Sequence, residues 1–168
     1  LQPRLMETII IAAVTDNGVI GLDGDMPWHY PADLRHFERT TTGHACLMGR
    51  RTYESFPRRP LRNRINIVLT SNAEYEVPPD VIVVDSLKTG LATAAKSGVT
   101  RLFICGGARV YEEALPFVDE MILTRIHAQI DGDTYFPQWD ADEFDIVDRR
   151  DLDADDLEVI TYRRKPNS

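Results

Sequence analysis

Residues 101–115 read RLFICGGARVYEEAL. Arg101–Cys105 is short and mostly apolar, as a buried strand should be, and Val110, Tyr111, Ala114 and Leu115 then recur at helical spacing. Between them stand Gly106 and Gly107, so a strand runs through two glycines directly into a helix. The pattern returns at residues 45–56, ACLMGRRTYESF, with a strand over Ala45–Met48, Gly49 at the junction and a helix over Arg50–Phe56. Two such units predict strands that lie parallel with helices packed on their faces.

The flanking sequence extends the alternation. Ile9–Val14 is a continuous apolar run, read as a buried strand. Asn17–Trp28 reads as a loop carrying Gly18, Gly21 and Gly24. Pro31-Ala32-Asp33 opens a helix, with proline early and an acid in the first turn, and Leu34, Phe37 and Thr41 share one of its faces. Strands follow at Ile65–Leu69, Val81–Val84 and Glu120–Ile126, and Ser86 is an N-cap for a helix to about Ser97. Phe144–Val147 and Val159–Tyr162 read as a closing hairpin around an acidic connection. The expectation is an α/β fold with a mainly parallel sheet, made mixed by an antiparallel hairpin at the C-terminal edge. Ligands of such sheets bind at the carboxyl ends of the strands.

The chain has 168 residues, the size of one domain, with 43% hydrophobic and 27% charged residues, ordinary values for a globular protein. The apolar pattern starts at about Thr8, so residues 1–7 read as an N-terminal extension or cloning remnant and 8–168 as the domain. The longest apolar run, Ile9–Val14, is far short of the roughly 20 residues of a membrane helix. The first residues lack a basic-then-apolar leader. Two cysteines, Cys46 and Cys105, are too few for a disulfide scaffold or a closed four-ligand zinc site, and a reducing, cytoplasmic setting is expected. Nineteen basic against 27 acidic residues leave a net charge of −8, which disfavours nucleic acid as a partner. Yet six arginines fall between Arg50 and Arg64. That is either a solvated loop or the recognition of a small anion.

Three constellations carry chemistry. Gly106-Gly107 lets backbone approach a ligand at a helix start, or makes a tight turn for packing alone. It is not a G-x-G-x-x-G fingerprint, so a standard Rossmann site is not expected. At the second junction Arg50 and Arg51 follow Gly49, with Thr52 next, and arginine suits bidentate phosphate contact. Two junctions on one sheet can hold a pyrophosphate and a separate monophosphate, the anatomy of NADP; the alternative is exposed helix charge. Asp33 lies among Trp28, Tyr30 and Leu34, and is either a helix-dipole partner or a ligand-binding carboxyl. The glycine-studded segment before it has the composition of a mobile lid. The histidines His29, His36, His44 and His127 show no metal spacing and read as surface or partner-satisfied residues; no metal is expected.

These residues resemble the dihydrofolate reductases. The match runs from about Ile9 to Arg164 and is carried by Val19-Ile20-Gly21, Met26-Pro27-Trp28, Pro31-Ala32-Asp33-Leu34 with Phe37, Met48 through Ser55, Ile104-Cys105-Gly106-Gly107, and Gly132 through Pro137. The resemblance implies a central mixed eight-stranded sheet flanked by four helices. It implies NADPH-dependent reduction of 7,8-dihydrofolate, antifolate inhibitors as further ligands, and a monomer. Residue by residue, it implies that Asp33 bonds the pterin, Thr124 supports Asp33, and Trp28 stands near the reacting ring, these three forming the catalytic set. Ala13, Leu34, Phe37, Phe56 and Leu61 are implied as walls around substrate, with Arg64 pairing its carboxylate and Arg62 as the competitor. The implied cofactor region comprises Ala13, Ile20, Gly49, Arg50, Arg51, Thr52, Thr70, Ser71, Gly106, Gly107, Ala108, Arg109, Val110 and Tyr111. Cys105 belongs to both lists and departs from the family's usual Ile or Val. Two rivals share the fold: a riboflavin-pathway reductase that uses NADPH, and an inactive NADP-binding module. The set Trp28, Asp33 and Thr124 suits a 2-amino-pterin and argues against the first; the intact lid and Asp33 argue against the second.

Overall fold

The computed structural model describes residues 6–152 and 156–166. Its centre is strand β1 (Glu7–Thr15), paired in parallel on one side with β6 (Arg101–Ile104) and on the other with β7 (Glu120–Ile126). Beyond β6 lie β3 (Ala45–Gly49), β4 (Ile65–Leu69) and β5 (Val81–Val84), all parallel. Beyond β7 lie β10 (Leu157–Arg164) and then β9 (Phe144–Asp151), both antiparallel to their neighbours. The result is one eight-stranded mixed sheet in the order β5-β4-β3-β6-β1-β7-β10-β9. Four helices flank it: α1 (Pro31–Thr41), α2 (Arg50–Ser55), α3 (Leu87–Lys96) and α4 (Ala108–Ala114).

The parallel strands are mostly apolar because both sheet faces are covered. Alternate residues divide between two clusters. Ile10, Leu47, Ile67, Leu102, Ile104 and Leu123 pack with Leu87, Ala94, Val110 and Ala114 of α3 and α4. Ile9, Ile11, Cys46, Met48, Phe103 and Cys105 form the other layer, with Phe37 and Phe56 against it. Burying each Leu, Ile or Phe contributes about 1.5–3 kcal/mol, so these layers supply most of the driving force. Ser86 caps α3 as expected, its hydroxyl accepting from the Thr89 N–H at 3.1 Å.

Several boundaries differ from the sequence reading. β1 begins at Glu7, which pairs with Arg101, and Met6 packs on the core; Glu7 therefore belongs to the folded body rather than to an extension over 1–7. Residues 1–5 lie outside the described residues. Strand β6 stops at Ile104 and α2 at Ser55, leaving Cys105 and Phe56 just beyond their elements. The hairpin strands are eight residues each, twice the expected length. Their outer residues are polar because β9 is an edge strand, exposed from Asp145 to Asp151 and charged in a way that blocks further pairing. Arg149 anchors it to Glu158 of β10 at 3.0 Å.

The segment read as loop, 17–28, contains a strand. β2 (Val19–Gly21) pairs with the two-residue β8 (Thr134–Tyr135) to form a separate ribbon. The Asp23 N–H bonds Asp133 at 3.0 Å, and Asn17 bonds the Ile130 carbonyl at 3.0 Å. Gly132 is the tight point. A methyl group there would run into Val19 and come within 2.6 Å of the Gly21 carbonyl oxygen. Gly132→Ala is expected to cost about 1–3 kcal/mol by overpacking, which lowers the thermal midpoint by several degrees at about 2–4 °C per kcal/mol. Calorimetry checks this; an unchanged midpoint would show that the ribbon yields at no cost.

Candidate active site

At the carboxyl ends of β1, β3 and β6 the sheet opens into a cavity of about 1100 Å³. Its floor is made where two βα junctions meet. The Gly49 N–H donates to the Gly106 carbonyl at 2.8 Å, and the Cys105 N–H to the Leu47 carbonyl at 2.9 Å. The Gly106–Gly107 peptide is cis, and Gly106 has φ of +122°, a conformation open to glycine. A side chain on Gly106 would meet the Thr52 and Tyr111 hydroxyls at 3.3 Å, so the junction leaves space only while it carries none. Tyr111 is itself fixed, donating to the Ile11 carbonyl at 2.8 Å, and burial pushes its phenol well up from the ordinary value.

Asp33 enters from the first turn of α1. Thr124 of β7, 1% exposed, donates its hydroxyl to Asp33 Oδ1 at 2.7 Å. Burial raises the Asp33 pKa, and the Thr124 bond partly opposes the rise. Leu34, Phe37 and Phe56 border the same cavity, with the two phenyl rings stacked at 5.5 Å. Ile20 and Met26, from β2 and the loop after it, also border it. A carboxyl beside stacked rings suits a flat heteroaromatic that has a hydrogen-bonding edge. The rest of the cavity runs past Gly49 and Gly106 to Arg50, Arg51 and Arg109, suiting a long polyanionic ligand.

The comparisons decide the family. Residues 7–165 match the dihydrofolate reductase family. The chain belongs to it. Dihydrofolate reductase HdrB of Haloferax volcanii is 42% identical over 164 residues, covering 94% of this chain and 83% of that relative. The dihydrofolate reductase of Bacillus subtilis (strain 168) is 39% identical over 94% of this chain and 95% of its own length. The dihydrofolate reductase from Enterococcus faecalis, solved with NADP(H) and RAB-propyl, superposes with a TM-score of 0.86 at 35% identity, covering 95% of this chain and 97% of that one.

Against that family, most of the expected site residues meet at the cavity. Ala13, Ile20, Asp33, Leu34, Phe37, Phe56 and Thr124 border it, as do Gly49 to Thr52 and Cys105 to Tyr111. Five expected residues do not. Trp28 packs with Ala13 against Ala32, Ile126 and Leu157, beside the cavity's Asp33 end. Leu61 is buried behind Phe37 and Phe56, its backbone clasped by Asn66 through bonds of 2.8 and 2.9 Å, so it backs the wall instead of facing the ligand space. Arg64 donates to Thr41 at 3.1 Å and lies 5.9 Å over Phe37, at the outer end of the rings. Thr70 and Ser71 stand off the cavity, Thr70 donating its N–H to the Val84 carbonyl. Arg50 is partly engaged, with Nε on Glu54 at 3.2 Å and its guanidinium 4.3 Å over Tyr75.

His36 follows the partner-satisfied alternative of the expectation and not the surface one, its Nδ1 lying 3.1 Å from Arg150 Nη2. It is 2% exposed and borders the cavity one turn after Asp33. Burial, helped by the charges of Arg150 and Arg39, holds its pKa down to about 4. Spacing could have found it, since Asp33 and His36 share a helix face. The thiol of Cys105 is pushed up by burial beside Cys46 and donates to the Phe103 carbonyl at 3.6 Å, a packing group and not a nucleophile.

The raised Asp33 pKa has a signed consequence. In the window between the ordinary carboxylate range and the raised value the folded state holds more protons than the unfolded state, so stability falls as pH rises. Asp33→Asn removes that cost and keeps an acceptor for Thr124. The variant is expected to melt no lower than the parent at neutral pH, with the difference shrinking in acid below the window. It should also lose about 10²–10⁴ in kcat/KM. A lower neutral midpoint, or activity within a few-fold of the parent, contradicts the assignment.

Proposed function

We infer that the chain catalyses NADPH-dependent reduction of 7,8-dihydrofolate to 5,6,7,8-tetrahydrofolate. The observation that carries the reading is the Asp33–Thr124 pair at one end of a cleft whose other end is lined by arginines. The residues fit a dinucleotide: Gly49, Gly106 and Gly107 leave a cradle that side chains would fill, and Thr52, Arg51 and Arg109 stand around it. When bound there, NADPH supplies the hydride. The protein's own work is positioning and charge. Asp33 receives the pterin's amino and ring N–H edge and, with its raised pKa, favours the protonated ring. Leu34, Phe37 and Phe56 hold the substrate's aromatic body, and Arg64, above Phe37, is better placed than Arg62 for its carboxylate. Ile20 and Met26 cover the ring side and keep water out, except for the water beside Trp28 that hands a proton to N5. The same Asp33 carboxylate receives protonated antifolates by a charge-assisted pair.

A monomer in the cytoplasm is the setting proposed for this activity. No helix among the described residues is long and apolar enough to cross a membrane. The first test follows loss of NADPH near-ultraviolet absorbance on adding dihydrofolate. Turnover with a flavin-pathway pyrimidine but not with dihydrofolate would favour the riboflavin-pathway reading, and binding without turnover the inactive module.

Cofactor choice is the second test. Arg50 spends part of its guanidinium on Glu54 and Tyr75, whereas Arg51 has no hydrogen bond or ion pair among the described residues. The 2′-phosphate is therefore assigned first to Arg51, with Arg50 and Arg109 beside it. A charged hydrogen bond contributes about 1.5–3 kcal/mol, so replacing Arg50 and Arg51 together by Gln should weaken NADPH by about 10²-fold and leave NADH nearly unchanged. Arg51→Gln alone should cause the larger single loss. Because the net charge is −8, the preference comes from local contacts and should shrink with added salt. Equal losses for both cofactors would move the assignment to the shared pyrophosphate.

A further inference from the structure

Strand β4 carries one polar residue, Asn66, among Ile65, Ile67, Val68 and Leu69. Asn66 is 2% exposed and stands in register between Cys46 of β3 and Val81 of β5, both of the layer that holds Leu61. A buried amide in an apolar strand is costly unless it is bonded. This one is bonded three times, always to the chain just before it. Asn66 Oδ1 accepts from the Leu61 N–H at 2.8 Å, and Nδ2 donates to the Leu61 carbonyl at 2.9 Å and to the Arg64 carbonyl at 3.1 Å. An N–H needs an acceptor and two carbonyls need donors, so the partners fix which end of the amide is which. The side chain thus holds both ends of the turn 61–64, within which Asn63 takes a left-handed conformation at φ of +60°. Arg64 leaves that turn with its guanidinium set as well. Nε donates to the Arg62 carbonyl at 2.9 Å and Nη1 to Thr41 Oγ1 at 3.1 Å. Thr41 is fully buried and gives its own proton to the Phe37 carbonyl at 2.8 Å, so its oxygen is free to accept. Of the five guanidinium N–H groups these bonds engage two, and three remain for a ligand.

We propose that Asn66 is a positioning residue: by clasping the ends of the turn 61–64 it sets the backbone from which Arg64 reaches the substrate's carboxylate, while Thr41 sets the tip. The proposal rests on the reductase reading, which gives Arg64 that carboxylate. The gain is entropic. A free arginine side chain samples many rotamers, and ordering it on binding costs affinity. An arginine held at its root and at its tip loses little further freedom when the carboxylate arrives. The place of the guanidinium fits this role, 5.9 Å over Phe37, whose ring borders the cavity. Packing alone would not need an amide at position 66, where an apolar residue would continue the strand. All three bonds of the amide act on the turn instead.

The test compares two substrates that differ in the carboxylate: 7,8-dihydrofolate, and 7,8-dihydropteroamide, in which a plain amide replaces the glutamate. Asn66→Leu keeps a branched side chain in the strand and removes all three bonds. It should lower the ratio of kcat/KM for dihydrofolate to that for the amide by about tenfold, the scale of a misplaced charged hydrogen bond. The loss should fall chiefly on KM for dihydrofolate and leave KM for NADPH unchanged. Thr41→Val should move the ratio in the same direction, and Thr41→Ser, which keeps the hydroxyl, should restore it. In an Arg64→Leu background the ratio is already low, and adding Asn66→Leu should change it no further. A purely structural clasp has a different signature: both substrates decline together and the thermal midpoint falls, with the ratio unmoved. That result overturns the proposal, as does a ratio that survives Arg64→Leu. A second readout is independent of turnover. The Arg64 Nε–H should give a ¹⁵N-resolved signal protected from solvent exchange in the parent and lose that protection in Asn66→Leu; unaltered protection overturns the proposal. If Asn66→Leu does not fold, Asn66→Ser, too short to reach both ends of the turn, is read by the same ratio and the same signal. If the parent is inert toward dihydrofolate, the reductase reading fails, and the Nε–H comparison still decides whether Asn66 sets Arg64.

Discussion

A carboxyl has to be kept dry and yet within reach of a ligand, and the 2.7 Å bond from Thr124 to Asp33 is how this chain does it. The bond ties the first turn of α1 to β7, whose Thr124 pairs with Ala13 of the central strand. Burial alone would push the carboxyl far toward neutrality; one hydroxyl donor moderates the push. The geometry of α1 follows from the same requirement. Pro31 starts the helix without a side-chain cap from Tyr30, and Asp33, an acid in a first turn, turns toward the cleft and Thr124. A helix start that would ordinarily use its acid for capping spends it on the site.

The parallel core was legible because its sheet is buried on both faces. Ile9–Val14 and Val81–Val84 are continuous apolar runs and Ile65–Leu69 is broken only by the buried Asn66, and such continuity is the property a two-sided sheet demands. The glycine junctions at Gly49 and Gly106 were legible for a related reason: each sits between a period of two and a period of 3.6. What stayed hidden depended on partners far along the chain. Strand β2 has three residues, and its partner β8 stands more than a hundred residues away, so no local period announces either. Strand β9 is polar because it is an edge, and polarity hid its length. His36 looks like any helix histidine until Arg150, arriving from β9, meets its ring.

Within the site, the residues that failed to line the cavity failed in an instructive way. Leu61 and Asn66 form a closed pair of backbone clasps, so Leu61 acts by holding the wall behind Phe37 and Phe56. Arg64 spends one nitrogen on Thr41 and one on the Arg62 carbonyl, which pins its guanidinium above Phe37 and leaves Arg62 itself without that anchorage. Motif matching assigns such residues to a ligand; hydrogen bonding separates those that touch it from those that position others.

The charge distribution completes the argument. A protein of net charge −8 must hold polyanionic ligands against its own field, and only local donors can do so. Those donors stand on the parallel half of the sheet, at the junctions after β3 and β6. Glu158 of β10 pairs with Arg149 of β9, while Glu7 of β1, Glu120 of β7 and Glu143 pair with Arg163 and Arg164 of β10. Exposed pairs of this kind contribute little stability each. Their effect here is to engage the hairpin's arginines with neighbouring carboxylates, away from Arg51 and Arg109 at the junctions after β3 and β6. The cleft thus runs from a single shielded carboxyl to unspent guanidinium groups. That gradient orients a ligand with a hydrogen-bonding ring at one end and phosphates at the other.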